Sequence, residues 1–186
     1  MTSGLNLKTW LEALNNKIQL KRLYQLCFPV LLLALLATAC QRLPDVQGRG
    51  EVFMQGVWTQ DSIPYASTLL NYTEHKFKFT CDSFYVDLTT HSKVNYYEDS
   101  CFNNGVWKEY AKGIYVVRND SLFLQGTYTK SNYKQKVSGC YQTGQYLRSF
   151  SITSVKPNQL IIQSVNDQRE AVLTLKEKIV CDPKPL

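Results

Sequence analysis

The chain has 186 residues, with 21 Lys and Arg against 15 Asp and Glu, two His, six Cys and 23 aromatics, and 44% of it is apolar. This suits one domain with a real core, alone or behind an export segment. It excludes intrinsic disorder, collagen, a coiled coil and a multi-span membrane protein. Residues 1–39 hold four bases (Lys8, Lys17, Lys21, Arg22) and one acid (Glu12), leaving 17 bases and 14 acids beyond them. The net +6 is therefore partly a property of the N-terminus and no argument for nucleic-acid binding.

The first element is the uncharged stretch 23–41, the one run able to enter a bilayer. The basic pair Lys21-Arg22, an apolar core and a small-residue ending are the parts of a secretory signal. The ending Leu36-Ala37-Thr38-Ala39-Cys40 resembles the lipobox of bacterial lipoproteins, with Ala37 standing where Leu is commoner. The resemblance implies a signal peptide over 1–39, read as a signal helix, and Cys40 as the lipid-attachment residue, so that the membrane is a partner through acyl chains of the palmitate type. An uncleaved anchor helix is the alternative, but about 17–19 residues fall short of the roughly 20 required, and Pro29 lies inside the run. Several acyl chains hold firmly because each buried methylene contributes about 0.8 kcal/mol. The n-region is long, and no Met occurs between Met1 and Met54.

Gln41, not Asp, follows Cys40. By the sorting rule of such lipoproteins this implies the outer membrane, and the lack of an acidic cluster in 41–50 favours an orientation toward the periplasm. Residues 40–50, with Pro44, Gly48 and Gly50, read as a lipidated tether that extends at most roughly 35 Å. Residues 51–186 read as the folded domain.

In that domain the hydrophobic period is two. Phe77, Phe79 and Cys81 alternate with Lys76, Lys78 and Thr80; Phe84, Val86 and Leu88 with Tyr85, Asp87 and Thr89; Leu122, Leu124 and Gly126 with Phe123, Gln125 and Thr127; Phe150 and Ile152 with Ser149, Ser151 and Thr153. The expected strands cover 52–60, 75–80, 83–90, 106–111, 113–118, 121–128, 146–155, 159–165 and 170–181. Asn119-Asp120, Pro157-Asn158 and Asn166-Asp167 supply turn chemistry between them. The prediction is an all-β fold: an antiparallel up-and-down barrel of about eight strands, which removes exposed sheet edges. A Greek-key sandwich is the alternative.

Gln55-Gly56-Val57-Trp58 on the first strand resembles the Gly-x-Trp signature of lipocalins, in which the Trp plugs the closed end of the barrel. Residues 107–128 are similar to the middle hairpin of lipocalin-like bacterial lipoproteins. The resemblance implies a lipocalin-like barrel with Gly56 and Trp58 as its signature. No counterpart of the later lipocalin motifs is visible, and residues 91–105 read as a separate loop.

With Cys27 in the leader and Cys40 lipidated, Cys81, Cys101, Cys140 and Cys181 remain, and an exported domain makes them two disulfides with three connectivities. The expected pairs are Cys81–Cys101 and Cys140–Cys181, each contributing on the order of 3 kcal/mol. A metal site is the alternative, but the Cys lack the close spacing of zinc ligands, and no metal or other cofactor is expected.

Catalytic constellations are absent from the sequence. His75 and His91 stand outside any metal or triad pattern. Ser131-Asn132-Tyr133-Lys134 matches Ser-x-x-Lys but sits in an expected loop without the companion elements. Asp61, Asp82, Asp87, Glu98, Asp99 and Glu109 offer carboxylates without a visible pairing. Lys130, Lys134 and Lys136 with Tyr128 and Tyr133 read as a solvated loop. Small lipoproteins of this type sometimes carry the name fumarate hydratase. The chain has neither the helical core and Gly-Ser-Ser loop nor the cysteine-ligated iron–sulfur cluster that such lyases need, so no enzyme is expected.

Two readings of function stand. In one, Phe77, Phe79, Phe84, Tyr115, Phe123, Tyr128 and Phe150 wall a pocket for a small apolar ligand or envelope component. In the other, these rings fill the barrel, and the outer surface serves as an envelope scaffold or inhibitor toward an unidentified protein partner.

Overall fold

The computed structural model describes Phe28 and residues 46–185. Apart from Phe28, the expected signal helix lies outside these residues, as does Cys40. The chain divides into two units, Met1–Pro44 and Asp45–Leu186, and the second contains all that follows. Among the described residues no helix is long and apolar enough to cross a membrane.

Eight strands form one closed sheet: β1 (Gly56–Gln60), β2 (Asn71–Thr80), β3 (Ser83–Ser92), β4 (Val106–Arg118), β5 (Ser121–Thr129), β6 (Gln145–Lys156), β7 (Gln159–Ser164) and β8 (Glu170–Lys178). A short helix, α1 (Asp99–Phe102), and a 3-10 turn, Asn103–Gly105, lie between β3 and β4. Each strand pairs antiparallel with the next, and β1 pairs with β8. That last pairing closes the barrel and rules out the sandwich.

Alternation decides the faces. Phe77, Phe79, Phe84, Val86, Leu88, Leu122, Leu124, Phe150, Leu160 and Ile162 are buried, while Lys76 and Lys78 stand outside. The expected segments 106–111 and 113–118 run on as the single 13-residue β4. The first strand starts at Gly56 instead of residue 52, because Met54 N–H bonds Glu51 O (3.0 Å) and turns the chain beneath the barrel. β2 begins earlier than expected and β8 ends sooner. Gly56 adopts φ 155°, and a Cβ there would stand 2.5 Å from Leu175 Cδ1 and 2.7 Å from Glu177 O. Trp58, 1% exposed, donates its Nε1–H to Met54 O at 2.8 Å. Its indole belongs to the core.

The two ends of the barrel differ. One carries the tight turns Cys81-Asp82, Asn119-Asp120 and Pro157-Asn158, with Cys81 and Asn119 in the left-handed region (φ 53° and 52°). It is sealed by Gln55, only 3% exposed. The Gln55 amide donates to Cys81 O (2.8 Å) and Tyr115 Oη (2.9 Å) and accepts from Cys81 N–H (2.6 Å). The other end carries the longer loops 61–70, 93–105, 130–144 and 165–169.

Residues 46–50, expected to be free tether, are docked on the sealed end. Val46 bridges Pro185, Gln47 N–H donates to Lys184 O (2.9 Å), and Gly48 N–H donates to Asp82 Oδ2 (2.9 Å).

Candidate functional site

The interior is filled in one half and hollow in the other. Met54, Trp58, Phe77, Phe79, Phe84 and Tyr115 pack into the sealed half. Phe77 meets Phe79 (centroids 5.5 Å) and Phe79 meets Tyr115 (5.0 Å). Above them a cup of about 520 Å³ opens between the long loops. Of the seven aromatics expected to wall a pocket, only Tyr128 and Phe150 line it. Phe77, Phe79, Phe84 and Tyr115 are core, and Phe123, 43% exposed, points outward.

Alternation places the cup side chains. On β4, Trp107 and Glu109 share the inward parity of Ala111; on β6, Arg148 lies between inward Tyr146 and Phe150. His75 and Phe150 lie at the base, where their rings meet edge to face (6.4 Å). His75 Nδ1 shares a hydrogen bond with Gln60 Oε1 (3.1 Å), and its ring stacks on Phe77 (5.5 Å). Burial and then the nearby Arg148 charge lower the His75 pKa to about 4, so the ring is neutral at neutral pH.

Arg148 lays its guanidinium over Tyr146 (5.0 Å to the centroid) and donates to Tyr128 Oη (3.3 Å) and Leu147 O (2.8 Å). Burial raises the pKa of Tyr128 and of Tyr146, so both phenols stay protonated. Glu109 accepts from Trp107 Nε1 (3.3 Å) and from Gln142 N–H (2.9 Å). The remaining lining is largely polar, including Gln60, Thr73, Thr90, Gln145 and Ser164. Sequence reasoning missed Trp107, Tyr146 and Arg148; their common inward parity with Ala111 and Phe150 is the signal that finds them.

The four cysteines form two disulfides, as expected, but in the other arrangement: Cys81–Cys181 and Cys101–Cys140. The expected Cys81–Cys101 and Cys140–Cys181 pairs are excluded by distance. Cys81 lies at the sealed end and Cys101 beyond the far end of β3, whose ten residues span roughly 33 Å. Cys140 and Cys181 are likewise at opposite ends. Cys101–Cys140 joins the loops 93–105 and 130–144, which contribute Tyr97 and Gln142 to the cup. The rings of Trp107 and Tyr141 stack beside it (5.3 Å), and Tyr141 Oη donates to Cys101 O.

The other candidates are dispersed. His91 stacks on Tyr72 (4.7 Å) and lies 3.7 Å from Glu74. Asp61 pairs with Lys176 (2.8 Å), Asp82 receives Gly48 N–H, and Asp87 receives the Tyr133 hydroxyl. Ser131–Lys134 is a tight turn in which Lys134 N–H donates to Asn132 Oδ1 (3.0 Å). Tyr133 pins that turn to the outer wall against Tyr85 and Tyr110. Among the described residues no cluster of three or more His, Cys, Asp or Glu suits a metal ion.

Comparison with protein-family models, curated proteins and solved structures finds no match.

Proposed function

We propose that this is a non-enzymatic binding module, lipocalin-like in plan, that holds a small molecule in the cup and is carried on a lipid anchor at Cys40. The single observation that carries the reading is the cup: about 520 Å³ at one end of a barrel whose other half is solid. Pockets of this size suit small ligands. The lining departs from a purely apolar one, because rings alternate with amide, hydroxyl and charged groups. The ligand in this reading has an apolar body and polar substituents.

The anchoring part of the proposal rests on the leader sequence. With 46–50 docked on the sealed end, a lipid on Cys40 would reach the barrel through only five residues, roughly 18 Å when extended. In this reading the anchor sits in the outer membrane and the cup works in the periplasm. Fatty-acid labelling of the parent and of Cys40→Ser tests the anchor, label on the parent alone being the expected result. A neutral fluorescent probe tests the cup: it should bind the parent and fail to bind Ala171→Trp, because Ala171 lines the cavity. Equal binding to both would remove the cup from the reading.

An envelope scaffold is the second reading, favoured by the outward apolar residues Ile114, Val116, Phe123 and Leu147. Val116 pairs directly with Phe123 across β4 and β5.

A further inference from the structure

We propose that the cup takes an anionic ligand with a planar aromatic body, the anion being a carboxylate held by Arg148. The inference rests on the binding-module reading and narrows its ligand.

Arg148 is the cation that the cup leaves without a counter-ion. Among the described residues no carboxylate lies within ion-pair distance of it. Its hydrogen bonds go to one carbonyl and one phenol, which leaves part of a five-donor fork free. Of the other charged groups of the lining, Asp167 pairs with Arg169 at 3.5 Å. Glu109 accepts two neutral N–H groups, and neither it nor Glu170, at the start of β8, has a cation within ion-pair distance among the described residues. The selectivity for an anion therefore rests on the local contact with Arg148 and not on a net positive cup. His75 is neutral, so the base adds no charge.

The fork is also held in place. Stacking on Tyr146 and the bond to Tyr128 restrict its rotamers, so less entropy is lost when a carboxylate docks side-on. Arg148 is itself exposed, so the pair forms partly against solvent and is screened by salt.

The planar body follows from the shape and composition. Trp107, Tyr128, Tyr146 and Phe150 line the cavity and are each no more than 6% exposed, so they form a close-packed aromatic wall against which a flat body fits. A long acyl chain finds no channel, because Trp58, Phe77 and Phe79 fill the barrel beneath the base.

Titration calorimetry on the purified chain, comparing a naphthoate with the matching naphthamide, tests the inference. The expected result is naphthoate binding roughly tenfold tighter or better, the usual range for a hydrogen bond to a charged group, with the preference shrinking as salt rises. Arg148→Gln should abolish the preference, bringing naphthoate down to the affinity of naphthamide for the same variant, and Ala171→Trp should block both. Equal affinity of the two probes for the parent overturns the anionic ligand but leaves the binding module standing. Failure of both probes to bind overturns this inference, and the neutral-probe comparison then decides separately on the module. Because the preference is measured on the parent, the test survives a variant that does not fold.

Discussion

The rings of Phe84 and Tyr146 lie with centroids 5.7 Å apart, although β4 and β5 separate the strands that carry them. The row between them is Gly113 opposite Gly126, in direct register with both aromatics. With no side chains on that row, the two rings lean across it, and the strand backbones close in. A Cβ on Gly113 would meet Gln125 O at 2.1 Å, and one on Gly126 would meet Lys112 O at 2.1 Å. Both obstacles are backbone and cannot swing aside. Gly126→Ala should therefore destabilise the barrel by about 1–3 kcal/mol, lowering Tm by several degrees. An unchanged Tm would mean that the wall can widen freely there.

Gln55 is the polar equivalent at the sealed end. Its amide serves the N–H and C=O of Cys81 and the hydroxyl of Tyr115, and Tyr115 Oη also accepts from Glu51 N–H (3.1 Å). Burial raises the Tyr115 pKa to about 12, so the phenol remains protonated. Gln55→Ala strands several buried groups and should cost about 2–4 kcal/mol, at roughly 1–3 kcal/mol for each group left unpaired. Gln55→Glu has a distinct signature. Its carboxylate would face the carbonyls of Cys81 and Glu51, so it should be least stable at neutral pH and regain stability, relative to the parent, on acidification. Urea denaturation at two pH values measures this, and a pH-independent deficit would contradict it.

The barrel was legible because a closed meander writes its inside and outside into every second residue: Phe77 and Phe79 against Lys76 and Lys78 are enough to fix β2. The cup was less legible. Periodicity marks Phe84 and Phe150 alike as inward, but how far each lies from the sealed end depends on strand tilt and on where the loops open. Arg148 was hidden because a charged residue between two aromatics reads as an irregularity in the pattern instead of as part of it. The disulfides were misassigned for a topological reason. In a meander, a segment after an even-numbered strand lies at one end and a segment after an odd-numbered strand at the other. Cys81 and Cys181 follow β2 and β8, and Cys101 and Cys140 follow β3 and β5. Sequence proximity pointed the other way, and reading Val106–Arg118 as two segments obscured the count.

His75 gives a pH dependence with a definite sign. Its pKa falls from an ordinary 6.5 to about 4 in the folded barrel. Between those values the unfolded chain binds a proton that the native state does not, so stability drops as pH falls from 6.5 toward 4 and this loss levels off below 4. A shift of that size corresponds to at most about 3.5 kcal/mol, at ~1.4 kcal/mol per unit, and water in the cup reduces it. The direct check is NMR titration of the His75 ring, with a midpoint near 4 expected. A midpoint near 6.5 would show that the ring is solvated rather than walled in by Phe77 and Phe150.

The two disulfides should differ in what they hold. Cys81–Cys181 closes a loop of 100 residues and Cys101–Cys140 one of 39, so chain entropy gives almost 5 and about 4 kcal/mol respectively. The first ties the tight turn after β2 to the segment after β8, and its loss frees the strand that closes the sheet. Replacing Cys81 and Cys181 by Ala should therefore lower the unfolding midpoint of the whole barrel. Replacing Cys101 and Cys140 should act mainly at the mouth, where it releases two loops from one another while β1 to β8 remain paired. Hydrogen exchange separates the cases: the second variant should lose protection in 93–105 and 130–144 and retain it in β2 and β3. Loss of protection throughout β2 and β3 would show that the mouth clamp supports the closed sheet itself. Mass mapping of the unreduced chain provides the prior check, since peptides linking Cys81 to Cys101 would overturn the pairing on which both expectations stand.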